Sequence, residues 1–358
     1  MKFIHTADLH LDSKIEGIPT EKSKLRREEI LRTFERLVNF ATDNQVKAII
    51  IAGDMFDGAK ITIKAKERVV QCIKNHPNID FLYVSGNHDK TNVFCDENNT
   101  LKNFITFNDE WKSVRYQDVC ITGVALNGLN QNTIYDTLKL DENDINIVVM
   151  HGQIIGYKSQ EKAETISIPN LKDKNIDYLA LGHIHSYADG AIDNRGKYAY
   201  SGCLDGRGFD ELGEKGFVLI DTENNALQTT FVPFSSRILY EFDFNVEDFS
   251  SNYDLSEKIV NDLQANAKEN SLIKVVLKGG RKLDFFLDVF SLEKRLNEKF
   301  FFVKVVDKTE LKVCADDYAF DKSVKGEFVR AVWESDLSDE EKNKIITCGL
   351  SALKGEEI

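Results

Sequence analysis

The chain has 358 residues, 42% hydrophobic and 29% charged, with a net charge of −13. That length exceeds one small domain and predicts two or three compact units with a sizeable core, as a soluble globular protein has. The acidic balance argues against autonomous nucleic-acid binding, because phosphate contacts need clustered Lys and Arg. No apolar run approaches the roughly 20 residues of a membrane span, so no membrane is expected. A strand begins at Lys2, and Asp8 and His10 interrupt any h-region, which leaves no room for a signal peptide. Six scattered cysteines without a Cys-x-x-Cys pair argue against a thiolate zinc site or a disulfide framework, and for a reducing cytoplasm.

Residues 2–6 read as a strand that runs into Asp8-Leu9-His10, and extended chain puts Asp8 and His10 on one face. Leu25, Ile30, Leu31, Phe34, Leu37, Val38 and Ala41 form an apolar stripe, predicting an amphipathic helix over 21–44. Lys22, Lys24, Arg26, Arg27, Arg32 and Arg36 occupy its other positions. Val46 to Ala52 is apolar but for Lys47, as a parallel strand covered on both faces should be, and it ends on Gly53-Asp54-Met55-Phe56-Asp57. A helix over about 60–75 sets Lys60, Lys64, Lys66, Arg68 and Lys74 against one acid, Glu67, a local basic patch. The run Ile79 to Val84 is a further buried strand, and Gly86-Asn87-His88-Asp89 follows it.

Val119 to Ala125 and Ile145 to Met150 read as strands, the second ending on His151-Gly152, with a short helix at 133–139 between them. An irregular loop over 153–168 precedes the strand Ile176 to Leu181, which ends on Gly182-His183-Ile184-His185. Tyr198 to Ser201 and Gly216 to Asp221 read as antiparallel strands around a glycine-rich stretch that holds Arg207. A boundary near Pro233 to Ser236 closes this unit. Beyond it, strands at 238–244, 272–278 and 300–306 alternate with helices at 254–268 and 285–298, a small α+β unit. Two terminal helices at 326–334 and 338–353 are separated by a capping box at Ser338 to Glu341. The organisation predicted is therefore 1–235, 236–318 and 319–358.

Five of the seven histidines (10, 88, 151, 183, 185) lie at strand-to-loop junctions, the edge where open α/β sheets build their sites. Asp8, His10, Asp54, Asn87, His151, His183 and His185 mix imidazole with oxygen donors, which suits manganese, iron or zinc rather than magnesium alone. Seven donors exceed one tetrahedral ion and fit two ions sharing a bridging carboxylate. Paired ions about 3.5–4 Å apart are what phosphoester hydrolysis uses.

Asp8-Leu9-His10, Gly53-Asp54-Met55-Phe56-Asp57, Gly86-Asn87-His88-Asp89, His151 and Gly182-His183-Ile184-His185 resemble, in order, the five motifs of the calcineurin-like metallophosphoesterases. The small following unit is similar to the Mre11/SbcD branch, nuclease subunits of DNA double-strand-break repair complexes, and the 201–216 stretch resembles its bacterial members. The resemblance implies a four-layer αββα sandwich, a capping domain and a C-terminal segment that docks on an SMC-like ATPase of the SbcC/Rad50 type. It implies two Mn2+ ions, with Mg2+, Fe2+ or Zn2+ as substitutes: one held by Asp8, His10 and His185, the other by Asn87, His151 and His183, and both by Asp54. It makes His88 the acid that protonates the leaving 3′-oxygen and Asp89 the partner that fixes its ring. Asp57 stands where archaeal and eukaryotic relatives often carry histidine, so that residue's exonuclease role is not carried over.

The activity implied is a 3′–5′ exonuclease and single-strand endonuclease on DNA, with Lys60, Lys64 and Arg207 as candidate substrate contacts. A second reading on the same fold is a phosphoesterase acting on nucleotides or phosphoproteins, since fold does not settle substrate. A third is a non-enzymatic scaffold, against which the intact ligand set argues. An ATPase partner supplying DNA grip answers the acidic charge. The 21–44 helix offers a homodimer surface or burial on its own sheet. In the last helices, Phe328, Val332 and Trp333 form a candidate docking row or pack back on the capping unit.

Overall fold

A computed structural model describes residues 1–58, 61–88, 101–156, 164–223, 226–281, 285–312 and 318–354. The chain divides into two units, Met1–Ile238 and Leu239–Ile358. In the first, β1 (Lys2–Thr6), α1 (Thr20–Asp43), β2 (Ala48–Ala52), α2 (Ile63–Lys74), β3 (Asp80–Val84) and β4 (Phe104–Phe107) follow one another. Then come β5 (Lys112–Tyr116), β6 (Val119–Gly123), β7 (Ile145–His151), and two short strands, β8 (Gln153–Ile154) and β9 (Thr165–Ile166). The unit ends with β10 (Tyr178–Gly182), β11 (Ala188–Ala191), β12 (Lys197–Tyr200), β13 (Gly216–Asp221) and β14 (Gln228–Pro233).

These strands make two six-stranded mixed sheets, ordered β14-β13-β1-β2-β3-β4 and β11-β12-β10-β7-β6-β5. The period of two sorts each strand between two cores. Ala48, Ile50 and Ala52 of β2 face the second sheet with Phe3, Leu82, Ile147 and Ala180. Ile49 and Ile51 face α1 and α2 with Ile4, Phe34, Leu37 and Val69. The outer face of the second sheet is covered by 3-10 turns at Ile134–Thr137 and Ile168–Leu171. The result is an αββα sandwich. The strand read at 198–201 is parallel to β10 and antiparallel only to β11, while β13 is antiparallel to both β1 and β14.

The stripe of α1 packs on its own sheet through Ile30, Leu31, Phe34, Leu37, Val38 and Ala41, so a second copy would have to meet other residues of this helix. One expected surface residue is inside. Arg26 is fully buried, its guanidinium donating to Asp205 at 2.8 Å, Glu29 at 2.8 Å, Ser236 at 2.7 Å and the Gly206 carbonyl at 2.7 Å. Both terminal nitrogens are thus matched, which a buried guanidinium needs in order to survive. Thr33 also donates to Asp205, at 2.9 Å, so α1 fastens the segment that follows β12.

His5 stands between the two sheets, with Nδ1 2.8 Å from the Tyr178 hydroxyl and Nε2 3.2 Å from the Leu181 carbonyl oxygen. Burial pushes it down to about 3, offset only in part by the Leu181 carbonyl, so the ring is neutral. The unfolded chain takes up a proton near pH 6.5 that the folded chain refuses until about pH 3. Stability is therefore complete above the higher value and falls as pH drops, by up to about 1.4 kcal/mol per pH unit. In metal-free protein, His5→Gln is expected to remove that share of the acid-side slope of the urea midpoint. An unchanged slope would assign the titration to another group.

The second unit is a βαβαβ arrangement: β15 (Leu239–Asn245), α3 (Asn252–Asn266), β16 (Leu272–Lys278), β17 (Gly280–Arg281), α4 (Val289–Asn297), β18 (Phe302–Asp307) and β19 (Glu310–Leu311). Strands β15, β16 and β18 run parallel over a core of Ile259, Leu263, Val275, Leu296 and Val303. Helices α5 (Val324–Trp333) and α6 (Asp339–Lys354) form a hairpin. The row Phe328, Val332 and Trp333 packs half-buried within it, against Tyr318, Val329, Ile346 and Leu350. Among the described residues, Phe320, Val324, Leu337, Ile345 and Leu353 are the large apolar side chains left exposed there. No helix among the described residues is long and apolar enough to cross a membrane.

Candidate metal centre

The loops leaving β1, β2, β3, β7 and β10 carry the donors, and main-chain bonds set the first two loops side by side. The Asp8 N–H donates to the Gly53 carbonyl at 3.0 Å, His10 N–H to Asp54 at 3.0 Å and Leu11 N–H to Met55 at 2.9 Å. This tight path puts Asp8, His10, Asp54 and His183 at φ of 49°, 41°, 49° and 104°, in the left-handed region. Outside glycine that region is sparsely populated, with Asn, Asp and His enriched, and it gathers at functional sites. Two glycines are required by contact. At Gly53 (φ +96°) a Cβ would lie 1.9 Å from His151 Nδ1, and at Gly86 one would lie 2.2 Å from Asp54 Oδ1.

Asp8, His10 and His185 each bring one donor atom within 4.8 Å of the others. So do Asp8, Asp54 and His151, and so do His10, Asp57 and His88. Asp8 and His10 are each common to two groups, whereas the family resemblance gives the shared role to Asp54. Burial pushes the Asp8 carboxyl up to about 6, the neighbouring Asp54 adding to this while His185 and His151 oppose it. Two carboxylates this close and this buried are costly without a cation between them.

The histidines are prepared as ligands. His151 Nδ1 lies 2.9 Å from the Ala52 carbonyl oxygen; donating there, it leaves Nε2 as an acceptor. Yet Nε2 faces Asn87 Oδ1 at 2.9 Å and Asp54 Oδ2 at 3.4 Å. Three acceptors converge with no proton to share, an arrangement that fits a cation. His10 Nε2 and His185 Nε2 face each other at 3.3 Å, and among the described residues the buried His10 Nδ1 has no hydrogen-bond partner. Burial first, then the Arg207 charge, holds His10 well below its ordinary value, in the neutral form that binds metals. The two donor groups that share Asp8 fit a dinuclear, divalent-cation site. His183 lies outside the groups of close donors; its backbone N–H donates to both Asp8 oxygens at 3.0 and 3.1 Å, and its ring meets His151 edge-on at 5.7 Å.

His88 is held differently. Its backbone N–H donates to Asp54 Oδ1 at 2.9 Å and its Nδ1 lies 3.0 Å from Asp57 Oδ1, which directs Nε2 away from that carboxylate. The expected partner Asp89 lies outside the described residues, as does Lys60. Lys64 is exposed on the first turn of α2, and among the described residues no hydrogen bond or ion pair joins it to the donors. Arg68 leaves the basic patch by pairing with Glu28 and Glu35 of α1.

Sequence reasoning missed Glu211. Its Oε1 lies 2.8 Å from His185 Nδ1, and Arg207 donates to the same carboxylate through Nε at 3.0 Å, a terminal nitrogen at 2.7 Å and the backbone N–H at 2.6 Å. Burial pushes Glu211 up, but the His185 bond and the Arg207 charge outweigh it and hold the carboxyl well below its usual range. The candidate substrate contact Arg207 is committed to this acid. Nothing in Arg-Gly-Phe-Asp-Glu marks such a role; only the return of the segment to β10 reveals it.

Residues 1–187 match the protein family described as calcineurin-like phosphoesterase. The chain is similar to the DNA double-strand break repair protein Mre11 of Sulfolobus acidocaldarius, 23% identical over 300 residues that cover 78% of this chain and 75% of that protein. It is 26% identical over 268 residues to a subunit of the nuclease SbcCD of Staphylococcus epidermidis, covering 65% of this chain and 69% of that one. It is 26% identical over 251 residues to the metallophosphoesterase YhaO of Bacillus subtilis, covering 64% of this chain and 60% of that one.

Proposed function

The chain belongs to the calcineurin-like phosphoesterase family, and on that premise we propose that it is a Mn2+-dependent phosphodiesterase cleaving DNA, the nuclease subunit of a complex with an SMC-like ATPase. The observation that carries the hydrolytic reading is the pair of donor groups joined at Asp8. DNA is favoured over nucleotides or phosphoproteins by the similarity to proteins named as Mre11 and as a subunit of the nuclease SbcCD, which in the first case spans 300 residues, well beyond the 187 of the family match. A relative named as a subunit supports the ATPase partner. The exposed Val324, Ile345 and Leu353 of the α5–α6 hairpin offer it apolar contacts.

Asp8, His10 and His185 would hold one ion and Asn87, His151 and His183 the other, with Asp54 shared by both. Bound divalent ions supply polarisation of the phosphoryl group and a nucleophile at neutral pH. The chain's own part is to place the scissile phosphate against these donors and to protonate the leaving oxygen from His88 Nε2, the ring being aimed by Asp57 at Nδ1. The test is a Mn2+-dependent assay on single- and double-stranded DNA beside a panel of nucleotides and phosphopeptides. Cleavage of DNA with kcat/KM well above the panel is expected. Turnover of nucleotides or phosphopeptides with DNA left intact would replace this reading with the other one.

A further inference from the structure

Two histidines facing the donor cluster are aimed through Nδ1, and their partners differ in charge. His151 has the Ala52 carbonyl, while His185 has the Glu211 carboxylate. Glu211 is 1% exposed and binds both ways: one oxygen reaches the His185 ring and the Arg207 side chain, and the other takes the Arg207 backbone N–H. The His185 main chain is fixed as well, its carbonyl accepting from Lys215 Nζ at 2.8 Å and from the Cys203 N–H at 3.3 Å. Ring and backbone of one ligand are therefore both gripped by the segment between β12 and β13. A carboxylate at Nδ1 keeps the proton there, turns the Nε2 lone pair toward the ion and raises ligand basicity. Arg207 balances the charge, so Glu211 aims the ring without adding net negative charge beside the donors.

We infer that Glu211 is a positioning residue for the ion held by Asp8, His10 and His185, with Arg207 as its counter-charge, so that a segment outside the family's matched residues sets the affinity of one of the two metal sites. The inference rests on the dinuclear reading of the donor groups.

Mn2+ alone, titrated into the dialysed full chain with free ion read by electron paramagnetic resonance, tests it. Wild type should bind two ions. Glu211→Gln should weaken one site by about 10–100-fold and leave the other unchanged. Glu211→Asp, charged but too short to reach both partners, should fall between. Thr33→Val loosens the same segment at its far end, where Thr33 meets Asp205, and should leave both affinities unchanged even if the melting temperature drops. Two ions in wild type with unaltered affinities in both Glu211 variants would overturn the inference, as would Thr33→Val weakening the same site equally. Should Glu211→Gln fail to fold, Glu211→Asp against Thr33→Val decides. Fewer than two ions in wild type would instead overturn the dinuclear reading itself.

Discussion

Asp54→Asn is expected to empty both metal sites and to lower kcat by at least about 10³-fold, whereas His10→Asn should empty one. Asp54 is buried, with Oδ2 facing His151 Nε2 at 3.4 Å and Oδ1 accepting the His88 N–H. It shares a donor group with Asp8, which also belongs to the His10–His185 group. Asparagine keeps the shape and an acceptor for His88 but removes the charge that two cations need nearby. Several kcal/mol of phosphoryl charge stabilisation go with them, and each 1.36 kcal/mol is tenfold in rate. Metal analysis after dialysis, paired with turnover, checks this. Retention of two ions at a near-normal rate would refute it. Loss of only one from Asp54→Asn, with both lost from Asp8→Asn, would move the shared role to Asp8.

His88→Asn should keep both ions and bound DNA yet lose about 10²–10⁴-fold in cleavage, the range for a positioned general acid. The ring stands 5.1 Å from His10 and is steadied by Asp57 at Nδ1. Substrates with alkoxide leaving groups show the loss in full. A p-nitrophenyl ester hides it, because that group leaves without much protonation. If the variant cleaves DNA at a normal rate, or loses metal as it loses activity, His88 is not the acid.

Eight strands of the first unit stand out in the sequence as apolar runs, and all eight are interior to their sheets. Of those not legible, β4, β5, β11 and β14 are the four edges of the two six-stranded sheets, and β8 and β9 pair only with each other. An edge strand has one neighbour and half its surface in solvent, so Lys-Ser-Val-Arg-Tyr or Ala-Asp-Gly-Ala carries no run to read. The donors were legible because interior strands end where ligand-type residues cannot be surface decoration. Arg26 and Glu211 were not. A helix pattern places Arg26 on the wet face, and partners far along the chain, Asp205 at 179 residues among them, explain its burial. Glu211 looks like any acid in a glycine-rich loop until β10 and β13 bring His185 beside it.

The left-handed backbone at Asp8, His10 and Asp54 also decides which variants of this centre can be interpreted. For an L-residue with a bare Cβ, that conformation costs roughly 1–2 kcal/mol, and Asn and Asp are among the few that visit it readily. Alanine scanning here would remove a ligand and strain the loop at once, so a lost activity could reflect either. Valine or isoleucine would be worse. Asparagine scanning separates the two, because it matches the main chain's demand while changing the donor. The same coincidence narrows drift at these positions: glycine aside, the residues the backbone tolerates are largely those that can still hold a metal, so one constraint shelters the other.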